Sequence, residues 1–251
     1  MTPSAEPPLI EIINETYQSV RQDGYGRFLS STYQRLLGQQ AMAQVPEVLK
    51  SFAKLSPDPH MGDGGTYRYR AFSRYSLEPN GWGPMKIAPL PGNSIFQSTD
   101  DNPVNGGVLR TFEPLAPEVA GGPLVHALID NDFAHAFNCD SSMLNSAVVV
   151  GVHQVRIVAR VDAPGLPTPE GVHRDTELYT FQHFMARSNI EGGEFRAYDE
   201  NKEMRFAWQQ VDCLDTVMFK GTTWHSATPI SSVVAGCPAY RDIFLVDFQR
   251  V

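Results

Sequence analysis

From residue 10 to about residue 54 the apolar positions recur at helix-like intervals, with Leu36, Leu37, Met42, Val45, Val48 and Leu49 as examples. The pattern predicts two helices, with Pro46 in the first turn of a short second one. Residues 1–8 are Pro-rich and predicted to be loose. Pro57 to Gly65 is a run of breakers, and at Thr66 the period changes to two: Tyr67, Tyr69 and Ala71 alternate with Arg68, Arg70 and Phe72. Residues 78–107, rich in Pro, Gly and Asn, read as a long excursion with one short strand around Ser94–Gln97. A further helix is predicted near 115–137, where Leu124, Leu128 and Phe133 share a face.

The second half is β-dominated. Ala147–Val158 is a long apolar, β-branched run, followed by strand-like Leu178–Met185, Glu194–Ala197, Phe206–Gln209, Thr216–Phe219 and Ile243–Phe248. Short strands separated by turn chemistry and closing on a polar centre predict a mainly β chain with flanking helices (α+β), built as a jelly roll. No internal repeat or linker divides it. The expectation is one domain over 1–251, with residues 1–60 as a helical buttress and 66–250 as the core.

The composition narrows the function. A formal net charge of −8 argues against nucleic acid or an anionic membrane surface as the main partner. No stretch approaches a membrane span, and the N-terminus lacks a secretory pattern. Three widely spaced cysteines without a CxxC fit a reduced, cytoplasmic compartment.

The chemistry gathers in two short motifs, Gly-Val-His-Arg-Asp at 171–175 and Trp-His-Ser-Ala-Thr-Pro at 224–229. His173 and Asp175 are two positions apart, so an extended chain or its exit turn puts them on one side. His225 arrives fifty residues after Asp175, room enough for intervening strands to return the chain to the same place. Two imidazoles and a carboxylate on one face of a metal leave the opposite face open, the arrangement of non-haem Fe(II) oxygenases. Singly, each histidine reads more readily as a hydrogen-bonded surface or core residue than as a ligand. Arg241 adds weight: it interrupts an apolar strand, and a cation aimed into a barrel needs an anionic partner. One end of a metal-bound dicarboxylate would meet it in a bidentate contact. The bland alternative is an ion pair with Asp242 or Asp247.

Other candidates lie on neighbouring strands. In His153-Gln154-Val155-Arg156-Ile157, Gln154 and Arg156 share one face. They are candidates for contacts to cosubstrate and to a substrate carboxylate, respectively, unless that face is solvated. His153 and His183 have apolar neighbours and no carboxylate two residues away, which suits structural roles. Arg68, Arg70 and Arg74 share parity. A charged edge accounts for two of them, and Arg74 is the candidate for an anionic substrate at the barrel mouth.

Together these residues resemble the bacterial and fungal Fe(II)/2-oxoglutarate dioxygenases that include L-isoleucine 4-hydroxylase and related free amino-acid oxygenases. The matching stretches are Val-Gly-Val-His-Gln-Val-Arg (150–156), Gly-Val-His-Arg-Asp (171–175), Asn-Ile-Glu-Gly-Gly-Glu (189–194), His-Ser-Ala-Thr-Pro-Ile (225–230) and Tyr-Arg-Asp-Ile-Phe-Leu-Val (240–246), spread over roughly 66–250. The resemblance implies a double-stranded β-helix of cupin-like form, iron on His173, Asp175 and His225, and 2-oxoglutarate partly on Arg241. Thr176-Glu177 departs from the commonest pattern after the carboxylate, which bears on substrate preference.

The expected cofactors are Fe(II), 2-oxoglutarate and dioxygen. The expected substrate is a small aliphatic free L-amino acid, hydroxylated with release of succinate and carbon dioxide. Desaturation or amine ring closure is the alternative outcome of the same iron chemistry. A non-oxygenase cupin metal enzyme and a small-molecule binding protein are the rivals from other classes. The N-terminal helices would serve as a lid, a buttress or the surface of a homodimer.

Overall fold

The computed structural model describes residues 8–78, 85–99, 104, 106–144 and 147–250. The Pro-rich start, and residues 79–84, 100–103 and 105 of the expected excursion, lie outside them.

Helix α1 (Leu9–Asp23) ends at Gly24, whose φ of 88° lets its N–H return to the Val20 carbonyl. Strand β1 (Tyr25–Phe28), which the periodicity did not show, separates it from α2 (Ser30–Ser51). The irregularity expected at Pro46 is instead at Gly38, where a φ of 77° kinks α2, and Pro46 lies inside the helix. Glycine reaches positive φ without a Cβ clash, so the break falls there.

A single-turn 3-10 helix (Phe52–Lys54) leads to β2 (Arg68–Glu78), β3 (Lys86–Leu90), β4 (Ser94–Phe96) and β5 (Leu109–Thr111). The helix expected near 115–137 is two: α3 (Pro117–Ala120) and α4 (Pro123–Cys139), each with Pro in its first turn. The β half follows as β6 (Val148–Ala159), β7 (Tyr179–Ser188), β8 (Ile190–Gly192), β9 (Phe195–Tyr198), β10 (Met204–Trp208), β11 (Thr216–Lys220), β12 (Trp224–Ala227), β13 (Ile230–Ser232) and β14 (Ala239–Arg250).

These strands make a jelly roll, as the sequence predicts. A seven-stranded sheet runs β1-β11-β7-β14-β6-β2-β3, and a three-stranded sheet runs β10-β9-β12. The β8–β13 and β4–β5 pairs are small ribbons. In the large sheet, β14 pairs antiparallel with β6 along its whole length and with β7 on the other side. Alternation sorts the residues between two covered faces. Val150 and Val152, Phe181, and Phe244, Val246 and Phe248 pack with Leu37, Val48, Leu124 and Leu128 of the helices in the main core. The opposite face, with His153, Val155, Arg241 and Ile243, turns toward the three-stranded sheet and lines a cavity. Among the described residues no helix is long and apolar enough to cross a membrane.

Behind the large sheet a buried polar chain ties helices to strands. His183 shares its nitrogens between Thr216 Oγ1 and Asp132 Oδ2, both at 2.9 Å, and the Tyr33 hydroxyl donates to the other Asp132 oxygen. Burial pushes the Asp132 carboxyl up, against the pull of His183. This is the structural role expected of His183. Asp132→Ala strips two buried groups of their acceptor and is expected to cost about 3–5 kcal/mol of unfolding free energy. Glu78→Ala, at the exposed Lys86–Glu78 pair, should cost less than about 1 kcal/mol. Urea melts of both variants check the contrast; equal effects would deny the network a structural role.

Candidate active site

His173 sits in the loop between β6 and β7 and forms an isolated antiparallel bridge with His225 of β12. Each backbone N–H donates to the other's carbonyl, at 3.0 and 2.9 Å. Directly opposed residues point to one face, and the two rings lie 4.3 Å apart between centroids. Asp175 follows on the same side, its N–H held by the Gly221 carbonyl at 3.1 Å. His173 Nε2 is 3.7 Å from one Asp175 oxygen, and His225 Nε2 is 3.5 Å from the other. The three ligand atoms lie within 4.8 Å of one another.

The tautomers follow from the other ring nitrogens. Nδ1 of His173 donates to the Gly171 carbonyl at 3.0 Å, and Nδ1 of His225 to the Thr223 carbonyl at 3.1 Å. Each proton is therefore on Nδ1, and each Nε2 turns a lone pair toward the carboxylate. Acceptors facing acceptors at these distances want a cation between them. Burial, with Phe219 and Phe195 against the ring at 4.4 and 6.0 Å, pushes His225 down to about 4 although Asp175 pulls the other way. The imidazole is neutral near pH 7, as a metal ligand must be.

Arg241 lies at another wall of the cavity, fully buried. Its Nη2 donates to Gln210 Oε1 at 3.1 Å, while Nε and Nη1 have no partner among the described residues. The expected structural acids are engaged elsewhere: Asp242 takes Arg156 at 2.7 Å, and Asp247 takes His153 at 2.8 Å. Burial, with Arg187 nearby, lowers the guanidinium to about 10, so it stays charged at neutral pH. Gly193 makes room for it: at φ 76°, an added Cβ would lie 2.8 Å from Arg241 Cδ. Gln210, absent from the sequence candidates, is itself fixed by donating to the carbonyls of Asp215 and Gln182 at 2.6 and 3.2 Å. Nothing in its Gln-Gln context distinguishes it.

A cavity of about 150 Å³ connects the two ends, the size for a small molecule. It fits the implied groups: two inward lone pairs and a carboxylate for a metal, and two orphaned N–H donors for an anion. Not every candidate reaches it. Gln154 faces the helices, donating to Ser51 Oγ at 2.7 Å, which corrects its assignment to cosubstrate. Arg156 also lies on the helix-side parity, with two 2.7 Å bonds to Asp242 and its guanidinium 4.0 Å over the Tyr240 ring. Its charge is already neutralised, which corrects its assignment to a substrate carboxylate. The phase of β6 explains both: His153, Val155 and Ile157 line the cavity. Arg74 has cavity-side parity but sits beside Gly151, beyond the lining residues. Arg68 and Arg70, read as edge charges, line the cavity in its place. His153 accepts from Arg70 on Nδ1 and donates from Nε2 to Asp247, so it has no lone pair left for a metal.

Comparison with known proteins places this geometry. A family model described as 2OG-Fe dioxygenase matches residues 49–247. The L-isoleucine-4-hydroxylase of Bacillus thuringiensis is 28% identical over 192 residues, covering 74% of this chain and 76% of that protein. The 3(1)-hydroxy-L-isoleucine 4-dioxygenase of Pantoea ananatis (strain AJ13355) is 24% identical over 209 residues, covering 82% of this chain and 81% of that protein. Among solved structures, a bsmA homolog from Methylobium petroleophilum PM1 superposes with a TM-score of 0.85 at 25% identity, covering 98% of this chain and 95% of that one.

Two further buried imidazoles make stability pH-dependent. Burial, reinforced by Arg70, pushes His153 down to about 4, and burial with His183 nearby does the same for His135. Their unfolded value is about 6.5. The unfolded chain therefore binds protons first, and stability present above about 6.5 is lost as pH falls toward about 4. Denaturant midpoints of the metal-free protein should fall across that window, and His135→Gln should flatten the slope. A flat profile would refute neutral burial.

Proposed function

The chain belongs to the 2OG-Fe dioxygenase family, and from that premise we propose that it hydroxylates an aliphatic side chain of a free L-amino acid. It is a 2-oxoglutarate-dependent non-haem iron enzyme, and Fe(II), 2-oxoglutarate and dioxygen are the reagents of its chemistry. That membership removes the non-oxygenase metal enzyme and the simple binding protein. When bound, the iron and 2-oxoglutarate activate dioxygen: one oxygen atom enters succinate as carbon dioxide leaves, and the other enters a substrate C–H bond to give an alcohol.

In this reading the chain's own residues bind and orient. His173 and His225 present Nε2 to the iron because Gly171 and Thr223 hold their Nδ1 protons. Asp175 offsets part of the metal charge. Arg241 takes the distal carboxylate of 2-oxoglutarate, which gives its two orphaned nitrogens acceptors. Phe195 and Phe219 shield the His225 side from water. The observation that carries the reading is this buried guanidinium, without an ion pair among the described residues, sharing one cavity with the His–Asp–His group. The relatives named for isoleucine and hydroxyisoleucine support an aliphatic amino acid as substrate.

Succinate formation with Fe(II), 2-oxoglutarate and each proteinogenic L-amino acid, followed by mass analysis, tests the proposal. The expected result is succinate coupled to an aliphatic amino acid that gains one oxygen. Loss of two hydrogens would replace hydroxylation by desaturation or ring closure, and no coupled amino acid would overturn the substrate class. His173→Ala and Asp175→Ala should abolish turnover; persistent iron-dependent decarboxylation in either would unseat the ligand set. Arg241→Ala should raise the 2-oxoglutarate concentration required by about 10- to 100-fold, the loss of a charge-assisted contact, and an unchanged requirement would move the cosubstrate elsewhere.

A further inference from the structure

A second set of charged groups lines the cavity beside the His–Asp–His group and Arg241. Arg110 comes from β5 and is 3% exposed; its Nη2 donates to the Gln97 side-chain oxygen, and its Nε has no partner among the described residues. Arg70 comes from β2; its Nη2 donates to His153 Nδ1, and its Nε is likewise unpartnered. Neither is ion-paired among the described residues, because Asp58 is taken by Arg68 at 2.7 Å and Asp247 by His153 at 2.8 Å. Both guanidiniums lie against one ring, 4.5 and 6.0 Å from the Phe112 centroid. Two neighbouring buried cations that make no ion pair of their own among the described residues favour an anion beside them.

A complementary charge is Glu170, which lines the same cavity. Its Oε1 is 3.4 Å from His173 Nε2, and its Oε2 is buried without a partner among the described residues. His173 Nδ1 holds the ring proton against Gly171, so Nε2 and Oε1 are both acceptors. A carboxylate facing a lone pair at this distance is repulsive unless a proton donor or cation sits nearby. A metal would answer for the imidazole; the free Glu170 oxygen still lacks a donor among the described residues.

We propose that Arg70 and Arg110 bind the carboxylate of the substrate and Glu170 its ammonium group. This assignment rests on the amino-acid reading above and sharpens it: the cavity selects a free zwitterion. An amino acid inside a peptide has neither charge and would leave three buried groups unpaired, so internal residues of peptides are disfavoured by desolvation. The head group is held by residues separate from Arg241, which keeps substrate and cosubstrate carboxylates from competing for one guanidinium.

Calorimetric binding to the protein loaded with Fe(II) and 2-oxoglutarate, without dioxygen, tests this. The probes are L-isoleucine, its analogue lacking the amino group (3-methylpentanoic acid) and its analogue lacking the carboxylate (2-methylbutylamine). The unsubstituted protein should bind L-isoleucine at least about tenfold more tightly than either analogue, the scale of a lost charge-assisted contact. Glu170→Gln should erase the preference over the desamino analogue and keep the other; Arg110→Gln should do the reverse. Binding of 2-oxoglutarate, measured on both variants, should be unchanged. Equal affinity of the unsubstituted protein for L-isoleucine and either analogue would overturn the clamp even if a variant fails to fold. So would a variant that keeps both preferences. Failure of L-isoleucine and the other free aliphatic amino acids to bind at all would overturn the amino-acid reading itself.

Discussion

Alternation along β6 and β14 is the constraint on which the site depends. The strands pair Arg241 with Ile157, Ile243 with Val155 and Leu245 with His153. This register sends one parity to the cavity and the other, with Phe244, Val246 and Phe248, into the helical core. A slip of one residue would exchange the faces. Arg241 would enter the apolar helical core, and three phenylalanine or valine side chains would fill the cavity. Misregistered pairing is thus penalised at both faces, so the residues needed for chemistry also specify the pairing.

Around this sheet some buried charges are fully paired, and those with open atoms gather mostly at the cavity. Away from the metal group, Arg156 has Asp242 and His183 has Asp132. Around the cavity, by contrast, Arg241, Arg70, Arg110 and Glu170 each keep a buried polar atom without a partner among the described residues. A folded chain retains such atoms at a cost of about 1–3 kcal/mol each, and their concentration in one place marks where local consistency yields to function. The His173–His225 bridge closes the other side. Reciprocal backbone bonds hold these two ligands, so their alignment belongs to the sheet edge and does not rely on loop side chains.

How much of this is legible in the sequence follows from the type of signal. The jelly roll and its flanking helices are visible because turn residues bound short apolar runs. The convergence of His173, Asp175 and His225, and the oddity of Arg241 in its strand, stand out as charges where apolar residues are the rule. The phase of β6 is not visible. Its sequence, Val-Val-Val-Gly-Val-His-Gln-Val-Arg-Ile-Val-Ala, is largely apolar at both parities because helices cover one face and the cavity walls the other. Gln154 and Arg156 therefore look equivalent to His153 until the register is known. In β2, parity correctly groups Arg68, Arg70 and Arg74, but which end of the strand meets the cavity depends on pairing with Gly151 and Ile157. Arg110 and Glu170 follow stretches of Asn, Gly and Pro, whose paths depend on tertiary contacts with no periodic trace.

β14 also has a mechanical consequence. It is twelve residues long and hydrogen-bonded on both sides, which makes it a stiff beam through the middle of the barrel. Arg241 and Asp247 both line the cavity from this strand, and six residue steps of extended chain span roughly 20 Å. The strand is in effect a gauge block: it fixes the length of the cavity wall between Arg241 and Asp247, and neither end can be adjusted without disturbing the ladder that joins them.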